Sequence, residues 1–487
     1  MNHIPRYFAP PHPAYRTRRD FLSRVGNGFG TLALAGLLEQ EGLLAAEAPL
    51  NPLAPKQSHF PAKAKSVIWL FMNGGPSHVD TFDHKPDLAK CDGQELKGFD
   101  HNTGFFTDQV GPLLKSPFKF ARHGQSGAWV SELFPNMARH VDKMAFIYSC
   151  WTDSNNHSPA LFKINTGMTR MGFPCLGSWV TYGLGSESQN LPAFVVMYDT
   201  LGRGIPKGHS QNWGAGFLPG IYQGTAFKPQ GSPIDDLDPG KDRSPNQQRS
   251  QLDLLARLNR HGLDQHPGEP ELSARIETFE LAYRMQMAAP EALDIDRETP
   301  QIKKLYGLDN PKCTHFAKQC LIARRMVERG VRFVQIYSGG MENQLSWDGH
   351  IDIMGNHTGF AQETDVPVAG LLADLEARGL LDSTLVIWGG EFGRLPVAQK
   401  GPKPGRDHNP HAFTVWLAGG GVKGGAHHGQ TDEVGLKAAV DRVSVHDLHA
   451  TILHLMGLEH TKLTYRYNGR DFRLTDVSGE VVKAILA

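Results

Sequence analysis

The sequence predicts an α/β protein built on a mainly parallel sheet with helices on both faces. Three observations carry that expectation. Short, continuous apolar runs recur along the chain, as strands buried on both faces require. Segments with helical spacing separate them. Polar residues of ligand type gather beside the ends of those runs, where open α/β sheets bind their ligands.

The first strand is Ser66–Met72, an unbroken apolar run stopped by Asn73-Gly74-Gly75-Pro76. Met144–Cys150 is the second, followed by helices from about Ser158 and from Leu176, and Ala193–Met197 is the third. From about 200 to 270 the chain is rich in Gly, Pro, Asn and Gln with little periodicity, which reads as an insertion or a cap over a site. Helical spacing returns over Glu271–Met287 and His315–Arg329, the latter stopped by Gly330. Strands follow at Val331–Tyr337, Thr384–Trp388 and Phe413–Leu417, with helices at Thr364–Arg378 and Val445–Met456. Asn468-Gly469 marks a hairpin turn within Tyr465–Phe472.

Composition narrows the function classes. Fifty basic and fifty acidic residues cancel, so no long-range field draws the chain to nucleic acid. A hydrophobic share of 40% supports a sizeable core. No apolar run approaches the roughly 18 residues of a transmembrane helix. The five cysteines form no Cys-x-x-Cys pair, whereas the 23 histidines concentrate late in the chain.

Thr17-Arg18-Arg19-Asp20-Phe21-Leu22-Ser23 has the form of a twin-arginine export signal. A short apolar stretch and the small-residue run Ala45-Ala46-Glu47-Ala48 complete it. Residues 1–48 are therefore expected to be a signal peptide, 49–61 a linker and 62–487 the working domain, placed in the periplasm or outside the cell.

The chemistry is expected at the strand ends. Asn73 follows the first strand, and Asn155, Asn156 and His157 follow the second. Trp347-Asp348-Gly349-His350 follows Val331–Tyr337, and Gly389-Gly390-Glu391-Phe392-Gly393-Arg394 follows Thr384–Trp388. Gly405-Arg406-Asp407-His408-Asn409-Pro410-His411 precedes the Phe413 strand. Carboxylates, imidazoles and amides without thiolates suit a divalent ion such as Zn, Mn, Mg or Ca. Taken singly, Glu391 paired to Arg394 in a tight turn is the plainer reading of its block.

The blocks at Ser66–Asp83, Trp347–His350, Gly389–Arg394 and Gly405–His411 resemble those of the DUF1501 family, placed near the sulfatases in the alkaline-phosphatase-like superfamily. The resemblance implies an alkaline-phosphatase/sulfatase-like fold with a metal site at the strand ends. It implies metal ligands at Asn73, Asp348, His350, Glu391 and His408, with His411 as an alternative to His408. Sulfatases open a helix with Cys/Ser-x-Pro-Ser-Arg and end it in Thr-Gly. Here His157-Ser158-Pro159-Ala160-Leu161 occupies that position and Thr166-Gly167 closes it, so the usual nucleophile is missing. His157 is then the candidate catalytic residue, as nucleophile or as general base on water. The resulting expectation is an exported metal-dependent hydrolase of sulfate or phosphate esters, with an anionic ester or polysaccharide as substrate. The alternative is a metal- or glycan-binding protein on a degenerate sulfatase-like scaffold, in which His157 is a ligand or helix cap.

Overall fold

The computed structural model describes residues 51–227, 244–265 and 270–487. The twin-arginine segment and part of the expected insertion lie outside these residues. Among the described residues no helix is long and apolar enough to cross a membrane.

Nine strands form the main sheet: β1 Ser66–Met72, β2 Met144–Trp151, β3 Phe194–Met197, β4 Thr225–Ala226, β5 Phe333–Ser338, β6 Thr384–Gly389, β7 Phe413–Ala418, β8 His427–His428 and β9 Val443–Ser444. Their order is β8-β2-β7-β6-β1-β5-β3-β4, with β9 also paired to β2. β1 lies between β5 and β6, parallel to both. β7 is the exception to the parallel arrangement, running antiparallel to β2 and β6.

Alternating residues of β1 enter two separate cores. Ile68, Leu70 and Met72 pack into one, with Phe316, Leu321, Leu371 and Leu375. Val67, Trp69 and Phe71 pack into the other, with Leu161, Trp179, Leu448 and Ile452. The first core is covered by α3 Thr314–Glu328 and α4 Ile353–Ala377, the second by α1 His157–Thr166, α2 Leu176–Leu184 and α5 Val445–Leu455. A strand with every residue buried between two helical layers needs no polar face, which is why these runs read as unbroken apolar stretches.

Local chemistry sets the helix ends. The Asn156 side chain accepts from Ser158 N at the start of α1, and Gly167 ends it in the left-handed conformation. Ser444 and Asp447 form a capping box at α5. α4 is longer than its spacing suggests. It begins eleven residues before Thr364, where Asp352 caps it by accepting from Gly355 N, and it continues through Pro367. The stretch from about 200 to 270 also contains more regular structure than its composition indicates. Pro245–Gln265 is helical, and Arg249 pairs with Asp253 on its own helix and with Glu280 on the next. Leu252, Leu255 and Leu258 recur at helical spacing within it, so the Gly- and Pro-rich composition around it hid a pattern that is present. Trp213 and Tyr222 from the same stretch are buried in the second core. Residues 51–61 lie along the domain, with Lys56 N donating to Leu184 O and His59 N to Gly457 O. All five cysteines are free.

The turn after β1 depends on its two glycines. Gly74 has φ +102°, and a Cβ there would stand 2.6 Å from Asp348 N and 2.9 Å from Trp347 N. Gly74→Ala therefore combines an unfavourable backbone conformation with a collision against the Asp348 loop. A loss of about 1–3 kcal/mol in denaturant unfolding is expected from the backbone alone, and an unchanged midpoint would refute this account of the turn.

Candidate metal centre

β1, β2, β5 and β6 all end at one edge of the sheet. Because β7 runs the other way, the residues leading into it reach that same edge. Asn73, His157, Asp348 and Glu391 thus arrive from strand ends, and His408 arrives from a strand start. His408 is also held by a short antiparallel ribbon, paired with Arg394.

The ligand atoms of His157, Asp348, His350 and His408 all lie within 4.8 Å of one another. None of these residues is more than 7% exposed. His350 Nε2 is 2.9 Å from Asp348 Oδ1 and 2.9 Å from His408 Nε2, and His408 Nε2 is 3.2 Å from Asp348 Oδ1. His157 Nε2 is 3.1 Å from Asp348 Oδ2. That approach lacks hydrogen-bond alignment, so His157 Nε2 has no hydrogen-bond partner despite the short distance. We therefore treat it as an ionic contact.

The other nitrogen of each ring faces an oxygen. His408 Nδ1 lies 2.6 Å from the Asn155 carbonyl, His350 Nδ1 2.7 Å from Gln399 Oε1, and His157 Nδ1 2.7 Å from Glu391 Oε1. Each oxygen demands an N–H from the ring, which leaves the Nε2 lone pair for the centre in a neutral imidazole. The Asn155 carbonyl fixes this without ambiguity, whereas the Gln399 amide orientation is an assignment from its own bond to Gln109. Oxygen partners behind imidazoles are the usual support of metal-ligating histidines.

Charge is distributed unevenly around the group. Asp348 also accepts from Arg394 Nη2 at 2.6 Å and from Asn343 N at 2.5 Å. Arg394 is fully buried and donates in addition to the carbonyls of Gly74, Gly75 and Arg406. Burial alone would push the Asp348 carboxyl up, but Arg394 and His157 hold it well below the usual carboxylate range. Burial likewise opposes a charge on His157, but Asp348 and Glu391 push its pKa up to about 9. The start of α1 also disfavours that charge. A helix dipole is worth about 0.3–1 kcal/mol in ordinary settings, and two carboxylates in direct contact outweigh it. His408 moves the opposite way: burial and the neighbouring His157 hold it well below its ordinary value.

The other sequence candidates are placed differently. Glu391 stands behind His157 rather than in the group of four, and also accepts from Gly74 N at 3.0 Å. The Glu391–Arg394 pair of the plainer reading does not form; each side chain finds a closer buried partner in the centre. Asn73 Nδ2 donates to Gly340 O at 2.5 Å, and its buried Oδ1 has no partner. His411 is half-buried outside the group, and its backbone N–H donates to Asn409 Oδ1. Arg394, Gln399 and the Asn155 carbonyl carry much of the geometry; Asn155 and Arg394 stand in the strand-end blocks without an assigned role, and Gln399 lies outside them. A backbone carbonyl has no sequence signal. Gln399 sits 49 residues from the ring it supports.

The chain belongs to DUF1501, a family described as a protein of unknown function, which matches residues 64–486. No curated protein sequence matches it. Among solved structures it is similar to the PsFucS1 sulfatase from Pseudoalteromonas sp. at 12% identity and a TM-score of 0.34, covering 88% of this chain and 71% of that one. It is similar to an alkaline phosphatase from the Antarctic bacterium TAB5 at 10% identity and a TM-score of 0.30, covering 81% and 98%. A phosphonate monoester hydrolase from Silicibacter pomeroyi matches at 10% identity and a TM-score of 0.31, covering 82% and 73%. Likeness at this level fixes neither activity nor site residues.

The His157 charge gives a direct test. In metal-free protein its imidazole should remain protonated at pH 8 in an NMR titration, since its pKa of about 9 lies above the ordinary 6.5. Glu391→Gln removes one of the two stabilising carboxylates and should lower that value. A wild-type ring that titrates near 6.5 would contradict the electrostatics described here.

Proposed function

We propose that this protein is an exported metal-dependent hydrolase of sulfate or phosphate esters. Its centre is one divalent ion held by Nε2 of His157, His350 and His408 and a carboxylate oxygen of Asp348. The observation that supports it is the convergence of three imidazoles, each with Nδ1 turned to an oxygen, on one sealed carboxylate. Three nitrogens and one oxygen suit zinc better than magnesium or calcium.

When bound, the ion supplies Lewis acidity toward an ester oxyanion. The chain's own groups prepare its place. Glu391 orients the His157 ring, and Arg394 offsets the charge of Asp348 while its other N–H groups are held by backbone carbonyls. With Nδ1 bonded to Glu391 and Nε2 against Asp348, His157 has no nitrogen free to attack a substrate. We therefore assign it as a ligand, in place of the nucleophile or base expected from its position in the sequence.

A second reading is a binding protein without turnover. It is favoured by the donor set, since four protein donors would suffice for a structural zinc, whereas a catalytic zinc would keep a position open. Elemental analysis of purified protein should find one transition-metal ion per chain, and Asp348→Ala should remove it. Glu391→Gln, acting behind a ligand, should weaken binding by about 10–100-fold. Because the ion must displace the His157 proton, apparent affinity should rise about tenfold per pH unit until roughly pH 9. Turnover of aryl sulfates or phosphates that vanishes with chelation and returns with metal supports the hydrolase. A metal-loaded protein inert across both ester classes decides for the binding protein, and a chain that retains no metal refutes the metal centre in either reading.

Export rests on the Arg18-Arg19 motif. Replacing both by Lys should leave precursor in the cytoplasm, and undiminished export by the twin-arginine route would refute this assignment.

A further inference from the structure

We propose that the segment 100–106 is a gate over the four-residue centre and that the Asn155 side chain is its latch. The proposal deepens the metal-centre reading by assigning the route through which an ion or an ester reaches a site no more than 7% exposed.

Two rings from this segment cover the centre. Phe106 stands edge-on to His350 with centroids 4.9 Å apart at 90°. Phe105 lies 5.7 Å from His408, yet is 47% exposed. One large apolar ring thus borders both a buried imidazole and water, as the outer wall of the site. The segment pairs with no strand. Its only regular structure is the short turn His101–Thr103, capped from within by Asp100.

Its fastening to the rest of the chain is light and local. Asn155 Nδ2 faces the carbonyls of Gly104 at 2.8 Å, Thr103 at 3.2 Å and Asn102 at 3.3 Å. An amide with two protons cannot serve three acceptors well, so the Gly104 bond dominates. The second fastener is Asp407, whose Oδ2 accepts from Phe106 N at 2.6 Å. The fit at Gly104 is tight: a Cβ there would meet Asp407 Oδ2.

Both fasteners also hold a ligand, through different atoms. The Asn155 carbonyl accepts from His408 Nδ1, and Asp407 Oδ1 accepts from His408 N at 2.7 Å. The Asn155 side chain can therefore release the segment while its backbone keeps His408 in place. Asn155 acts through the segment rather than on a reacting atom, so it is a positioning residue.

The test uses Asn155→Asp, which keeps the shape and removes the donor, and Gly104→Ala, which leaves Asn155 intact and wedges the segment against Asp407. Metal-free wild type and variants are treated with diethyl pyrocarbonate, and modification is read by peptide mass spectrometry. His350 and His408 should react about tenfold faster in each variant, the equivalent of one lost hydrogen bond. His449, fully buried and bonded to the Ile164 carbonyl, serves as the internal control and should not change. Restoring a side-chain amide with Asn155→Gln should recover part of the protection. Unchanged rates at His350 and His408 in both variants, or a rise matched by His449, would overturn the gate. Zinc-loaded protein supplies an independent readout: zinc should pass to a chelator faster from both variants than from wild type. A wild type that holds no zinc would refute the metal reading while the modification rates still decide the gate.

Discussion

The buried carboxylate of Asp348 is the constraint on which the site depends. An ionised carboxylate sealed from water costs several kcal/mol unless partners replace its hydration. Here Arg394, the Asn343 N–H and the protonated ring of His157 do so. Arg394 in turn reaches the carbonyls of Gly74, Gly75 and Arg406. One ion pair therefore ties together the loops after β1, β5 and β6 and the approach to β7. Removing either partner would leave an uncompensated buried charge and loosen four connections at once.

The same charges explain why His157 and His408 differ. They are neighbouring imidazoles in a common environment, with ring centroids 4.4 Å apart. His157 lies against two carboxylates and keeps its proton near neutrality. That positive charge, together with burial, then suppresses protonation of His408. In the proposed function the proton on His157 holds the place that a cation would take. Exchange of one for the other would leave the Nδ1 hydrogen bonds of the three rings in place.

Much of this arrangement was legible in the sequence because it follows from burial and chain polarity. Strands covered on both faces are uniformly apolar, so Ser66–Met72 and Thr384–Trp388 declared themselves. Ligand-type residues in the segment that follows such a run point to the carboxyl edge, which brought out His157, Asp348 and Glu391. His408 was legible as a residue bordering a strand and through the family resemblance, although nothing local shows that β7 is antiparallel. Its neighbour His411, three residues on, looks equivalent in sequence but falls outside the group. The exchange of partners between Glu391 and Arg394 was hidden for a related reason. Proximity in the chain favours their pairing, whereas the fold offers each a buried partner from a distant loop. The helix Pro245–Gln265 escaped because its short leucine stripe, Leu252, Leu255 and Leu258, sits in a stretch otherwise rich in Gly, Pro, Asn and Gln.

The antiparallel strand has a consequence for how the molecule comes into being. β2 joins the rest of the sheet through β7, which is inserted between β2 and β6. As the chain emerges from a ribosome, β2 must wait until residue 418 has been made before it has a neighbour on that side. Closing such long loops is slow compared with forming local turns and helices. Completion of the sheet is therefore a late event in folding, and the four side chains of the centre come together only then. A chain truncated before β7 would lose the edge of the sheet and the site in a single step.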